Sequence, residues 1–127
     1  MSGTALELAK AAAKHFYRVN PQWVVSGCSD VSEVISEFLR RRGVRAKTVY
    51  GMAKRGGGRP FEHAWMEIEG LEFDPVLWAQ GRRLSQFQYH RKAAVRKVFE
   101  AGRCALRGDI DEGALEELEL MIAAAMR

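Results

Sequence analysis

The chain has little with which to cross-link or anchor itself. Only two of its 127 residues are cysteine, Cys28 and Cys104. The first ten residues, Met1 to Lys10, lack the basic stretch and long apolar core of a secretory leader. Two free thiols in a reducing, cytoplasmic compartment are therefore expected, rather than a disulfide. Long hydrophobic runs are absent too. A stretch such as Ile122 to Met126 is far too short to span a bilayer, so no membrane partner is expected. The two cysteines and three histidines (His15, His63 and His90) show neither C-x-x-C nor H-x-x-x-H spacing. No metal site and no cofactor are expected. Proline is scarce, and Pro21, Pro60 and Pro75 read as punctuation between elements. There is no internal repeat or low-complexity segment.

What is present suits a single domain spanning 1–127. Hydrophobic residues make up 47% and charged residues 28% of the chain, enough to bury a core and remain soluble. The net charge is +4. Basic residues gather at Arg40-Arg41-Arg42, Lys54 to Arg59, Arg82-Arg83 and Arg91 to Lys97, and acidic ones between Asp109 and Glu119. Scattered cations on helix faces are ordinarily just solvated, so nucleic acid is not an expected partner.

Hydrophobic periodicity predicts a helix from about Ala5 to Tyr17, with Leu6, Leu8, Ala9, Ala12 and Phe16 on its apolar face. Asn20-Pro21 ends it. After a short apolar connection and a Ser26-Gly27 turn, a second helix begins at Cys28 or Ser29. Val31, Val34, Ile35, Phe38 and Leu39 form its stripe, Ser29 or Asp30 can cap it, and Gly43 ends it behind three arginines. Strands are expected over 44–53, 61–68 and 71–74, joined by a mobile glycine-rich loop at 54–60 and a tight turn at Glu69-Gly70. They read as an antiparallel meander. Beyond Pro75, Val76-Leu77-Trp78 would lie over the sheet. Helix is expected over 84–104, continuous or broken, and over 111–126, where Leu115, Leu118, Ile122 and Met126 form the stripe.

Three of these positions carry chemistry together. Cys28 opens a helix, whose positive end stabilises a thiolate. His63 lies within a strand, and Asp74 ends the next one. A two-residue hairpin at 69–70 would pair Ile68 with Leu71 and Met66 with Phe73. Asp74 then falls opposite Trp65, with His63 diagonal to it on the same face. A cysteine nucleophile needs a base, and the base needs an acceptor that fixes its tautomer. An oxyanion also needs donors: the Cys28 backbone N–H, the Gln22 amide six residues earlier, or the neighbouring Trp23 indole. Trp23, Trp65 and Trp78 are the candidate substrate-binding aromatics. Trp65 follows the buried periodicity of its strand and reads first as packing, whereas Trp78 is open to either role. His15 and Cys104 read as structural and His90 as exposed.

Cys28 opening a helix that ends Phe38-Leu39-Arg40-Arg41-Arg42-Gly43-Val44, followed by Val49-Tyr50-Gly51, by His63-Ala64-Trp65-Met66-Glu67-Ile68 and by Asp74-Pro75, resembles the transglutaminase-like superfamily of papain-type thiol enzymes. The likeness covers about residues 26–78. It implies a triad of Cys28, His63 and Asp74, and a papain/transglutaminase-like α+β core over about 20–78, with the cysteine helix packed on a small antiparallel sheet. It also implies acyl transfer through a thioester on a peptide or protein substrate. Ser29 stands where many members carry an aromatic residue. Gln22 has the spacing of the oxyanion glutamine in papain-like proteases. With no calcium loop in the sequence, hydrolysis by a protease, amidase or deamidase is the expectation ahead of crosslinking. The alternative is an inactive module that kept the fold for binding or assembly. The additional C-terminal helices, over about 84–126, would serve an oligomer or partner contact.

Overall fold

The computed structural model describes residues 2–19, 28–102 and 112–125. Among them five α-helices surround one four-stranded antiparallel sheet, an α+β arrangement. In chain order the elements are α1 (Ser2–Val19), α2 (Cys28–Arg40), β1 (Ala46–Arg55), β2 (Phe61–Ile68), β3 (Leu71–Phe73), α3 (Pro75–Ala79), β4 (Phe87–Arg91), α4 (Ala94–Gly102) and α5 (Glu112–Ala125). No helix among the described residues is long and apolar enough to cross a membrane.

Helix α2 is the spine. Its predicted stripe of Val31, Val34, Ile35, Phe38 and Leu39 is wholly buried, against Ala46, Met66, Ile68 and Phe73 of the sheet. Gly43, at φ 79°, closes its C-terminal end, and the Val44 N–H reaches back to the Leu39 carbonyl. That backbone turn is one a residue with a Cβ adopts at a penalty.

Helix α1 is longer than expected at both ends and turns the expected face to the core, with its smallest residues deepest. Ala5, Ala9, Ala12, Ala13 and Phe16 are buried, while Leu6 and Leu8 are only partly covered. Alanines let α1 approach the core closely, and the bulkier leucines are left to its margins. Helix α5 joins the same core through Leu115 and Leu118. Charge ties it down as well: Glu119 accepts from Arg42, and Glu117 pairs with His15 of α1 at 3.1 Å. Burying each leucine contributes about 1.5–3 kcal/mol, against less than about 1 kcal/mol for an exposed ion pair. The leucines therefore set the docking and the ion pairs refine it.

The sheet order is β3-β2-β1-β4. Its first three strands are the expected meander, in the expected register: Ile68 pairs with Leu71 and Met66 with Phe73. The turn between them has Glu69 at φ 50° and Gly70 at φ 87°, the paired positive angles of a tight hairpin whose twist matches its strands. Beyond Phe73 the chain enters α3, which buries Val76 and Leu77.

The helix expected over 84–104 is not continuous. Leu84–Gln86 form a single 3-10 turn, Phe87–Arg91 are strand β4 and only Ala94–Gly102 are helical. Phe87-Gln88-Tyr89-His90-Arg91 alternates with a period of two, and β1 offers it an open edge. The edge is approachable because residue 51 is glycine. A methyl there would lie 2.1 Å from the His90 carbonyl oxygen, 2.8 Å from the Trp65 ring and 2.9 Å from the Arg91 Cα. Gly51→Ala is expected to destabilise the protein by about 2–3 kcal/mol, the scale of an overpacked site. The amides of 87–91 should lose hydrogen-exchange protection before those of β2. Unchanged stability in a denaturant titration would show that β4 yields freely.

Candidate functional site

Asp74 is the residue after β3 and the N-cap of α3. Its backbone is extended (φ −105°, ψ 97°), its Oδ1 accepts from the Leu77 N–H at 3.0 Å, and Pro75 occupies the first helical turn, where a missing N–H does no harm. Its Oδ2 accepts from His63 Nε2 at 2.7 Å and from the Tyr89 hydroxyl at 2.8 Å. The carboxylate is 1% exposed. All three of its neighbours are donors, as a buried anion requires.

His63 is the third residue of β2, paired with Gly51. The Phe61 ring meets it edge-on at 5.4 Å, and Trp65 lies nearly parallel to it at 6.3 Å. Nε2 donates to Asp74, and Cys28 is the other ionisable side chain that acts on the ring. Burial opposes a charge on the His63 ring. Hydrogen bonds to Asp74 and to Cys28, with the charges behind them, outweigh it and push the ring from an ordinary 6.5 up to about 9.

Cys28 is the first residue of α2 and packs against both hydrophobic clusters: the main core, and a smaller one formed by Tyr50, Ala64 and Val95 with Met52 and Phe99 beside it. The turn that presents it is pinned to the sheet. The Tyr50 hydroxyl donates to Glu33 Oε2 at 2.9 Å and lies 2.9 Å from Ser29 Oγ. Since a carboxylate can only accept, the tyrosine proton goes to Glu33 and Ser29 donates to Tyr50. Ser29 is thus a clamp within the helix rather than a cap.

The structure therefore brings His63 and Asp74 into direct contact, with Cys28 among the groups that act on the His63 ring. It treats the aromatic candidates differently. Trp65 is completely buried, its indole N–H donating to Glu72 Oε2 at 3.0 Å, so it supports His63 from behind and offers no face to a substrate. Trp78 packs on Phe73 at 5.9 Å, with Lys10 and Lys14 over its ring, which makes it part of the seam between α1 and α3. Gln22, Trp23 and Cys104 lie outside the described residues. His15 is buried between Glu117 and Arg18, and His90 is exposed, on β4 rather than on a helix.

Two contributors escaped the sequence reading. Tyr89 was hidden by the helical assignment of its segment, although its alternation with Phe87 was a strand signal. Phe61 is partly exposed at the end of the glycine-rich turn, and its contact with His63 follows from the strand's period of two. Two open clefts, of about 640 and 260 Å³, are lined by residues such as Arg40, Arg45 and Lys47 or Tyr50, Arg91 and Arg96. Neither is lined by Cys28, His63 or Asp74.

No family model matches the chain, and no curated protein matches it significantly. A solved structure of a genomics target is similar over 91% of this chain and 78% of its own length, at 15% identity and a TM-score of 0.45.

The raised His63 affinity for protons links the site to stability. The protonated ring is stabilised by folding, so its contribution is complete below about pH 6.5 and is lost as pH rises through about 9. An NMR titration of the His63 ring should show a midpoint near 9, and Asp74→Asn should lower it. A midpoint near 6.5 in the wild-type protein would contradict the pairing.

Proposed function

We propose that this chain is a cysteine hydrolase or acyltransferase, acting on a peptide or amide carbonyl through a thioester, on a papain/transglutaminase-like core. The observation that carries the reading is His63, buried and hydrogen-bonded to Asp74, with Cys28 acting on the same ring from the first residue of α2. A histidine held this way keeps a proton near neutral pH, which favours the thiolate–imidazolium pair that nucleophilic cysteines need.

In the first half-reaction the Cys28 sulfur bonds to the carbonyl carbon and the carbonyl electrons move onto oxygen. The Cys28 backbone N–H, with Gln22 as the second candidate, receives that charge. The tetrahedral species collapses, the C–N bond breaks, and the leaving amine takes the His63 proton. In the second half-reaction His63 removes a proton from water. The hydroxyl bonds to the thioester carbon, and the C–S bond breaks to return the Cys28 thiolate. An amine in place of water would give acyl transfer; hydrolysis is the favoured course. Asp74 stays ionised throughout and holds the His63 ring and its tautomer. Phe61, edge-on to His63 and partly exposed, supplies an apolar surface for the acyl side chain.

Alkylation of Cys28 by iodoacetamide, followed against pH by mass spectrometry, tests the pair without a known substrate. Near neutral pH Cys28 should react faster than an ordinary thiol, and His63→Ala should remove the difference. A wild-type Cys28 that behaves as an ordinary thiol would instead favour the inactive binding module. In a screen of peptide amides, Cys28→Ala should abolish turnover with an unchanged circular dichroism spectrum. Asp74→Asn should reduce kcat by about a hundredfold or more. Turnover by Cys28→Ala would end the proposal.

A further inference from the structure

Two donors share one oxygen of Asp74. His63 Nε2 reaches Oδ2 from β2 at 2.7 Å, and the Tyr89 hydroxyl reaches the same atom from β4 at 2.8 Å. The Tyr89 ring is held for this by Trp65, 4.8 Å away and tilted by 48°, and β4 can lie there only because Gly51 leaves room for it. A carboxylate only accepts, so the phenol must donate. Its proton is firmly retained, because burial and the charges of Asp74 and Glu72 raise the Tyr89 hydroxyl above the ordinary tyrosine range. Simple packing would be met by a phenylalanine ring on Trp65. What the hydroxyl adds is a second hydrogen bond to the atom that orients His63.

We propose that Tyr89 is a positioning residue of this site: its hydroxyl fixes the Asp74 oxygen and draws charge from it, so that the protonated His63 ring stays aligned and remains an effective acid. The inference rests on the reading that Cys28 and His63 form the reacting pair. Without the hydroxyl, Asp74 Oδ2 would place its full charge on His63, the ring would hold its proton more tightly, and transfer to a leaving group would slow. The ionisable groups that act on His63 are Asp74, beyond β3, and Cys28, from α2, and Tyr89 of β4 acts on it through the shared Asp74 oxygen. Glu72 stands one step away, on the Trp65 indole.

The test uses the whole chain, with two probes: the pH dependence of Cys28 alkylation by iodoacetamide, and the NMR titration of the His63 ring. Tyr89→Phe should raise the His63 midpoint by about 0.5 to 1 pH unit, a three- to tenfold change in the proton equilibrium, part of what a hydrogen bond to a carboxylate is itself worth. The upper limb of the alkylation profile should move with it. Replacing Tyr89 by 3-fluorotyrosine, a more acidic and therefore stronger donor, should move the His63 midpoint the other way, and it decides the matter if Tyr89→Phe folds poorly. Titrations of both variants that superimpose on the wild type would overturn the role of Tyr89 alone. An ordinary thiol titration of Cys28 in the wild-type protein would overturn the reacting pair and this inference with it.

Discussion

The carboxylate of Asp74 is where the fold and the candidate site meet. A bare carboxylate taken out of water costs several kcal/mol, and one that stays charged in the interior must find donors for its lone pairs. Asp74 finds three, and each comes from a different element: the Leu77 N–H at the start of α3, the His63 ring on β2 and the Tyr89 hydroxyl on β4. The hairpin between β2 and β3 must hold its register for His63 to reach, and the edge of β1 must accept β4 for Tyr89 to reach. The anion thus depends on the assembled sheet, and the sheet's edge strand contributes to satisfying the anion.

The same economy appears around Cys28. The nucleophile candidate is at the first turn of the helix that carries most of the core, and it touches both hydrophobic clusters. Helix α2 is therefore fixed along its length by Val31 to Leu39 and at its N-terminal end by the chain of hydrogen bonds from Ser29 through Tyr50 to Glu33. A group that must be presented to another within hydrogen-bonding distance benefits from such double anchoring, since a looser first turn would spread the thiol over many positions. Ser29, the residue next to Cys28, is the one that makes this clamp.

Much of the arrangement was legible because it is local. The period of two in Phe61 to Ile68, the turn chemistry of Glu69-Gly70 and the proline after Asp74 together set the hairpin register, and that register alone places Asp74 beside His63. The stripe of α2 is likewise a short-range pattern. Strand β4 was not legible in the same way. Five residues, Phe87 to Arg91, sit among basic residues and next to a genuine helix, and an edge strand of that length has too few periods to announce itself. The face of α1 is legible but not the depth of its residues: leucines outweigh alanines on any hydrophobicity scale, whereas close packing of a helix puts the smaller side chains deepest.

By itself, then, the amino-acid sequence determined the helix that starts at Cys28, the three-strand meander, and the alignment of His63 with Asp74, because each follows from backbone propensities and side-chain alternation over a few residues. The tertiary structure alone decided that β1 takes a fourth strand, that Gly51 must remain without a side chain, that Trp65 is sealed behind the site, and that a tyrosine fifteen residues beyond Asp74 shares its oxygen with His63. Those are contacts between segments distant in the chain. They depend on which surfaces fit once the core has closed, and no local pattern encodes that fit.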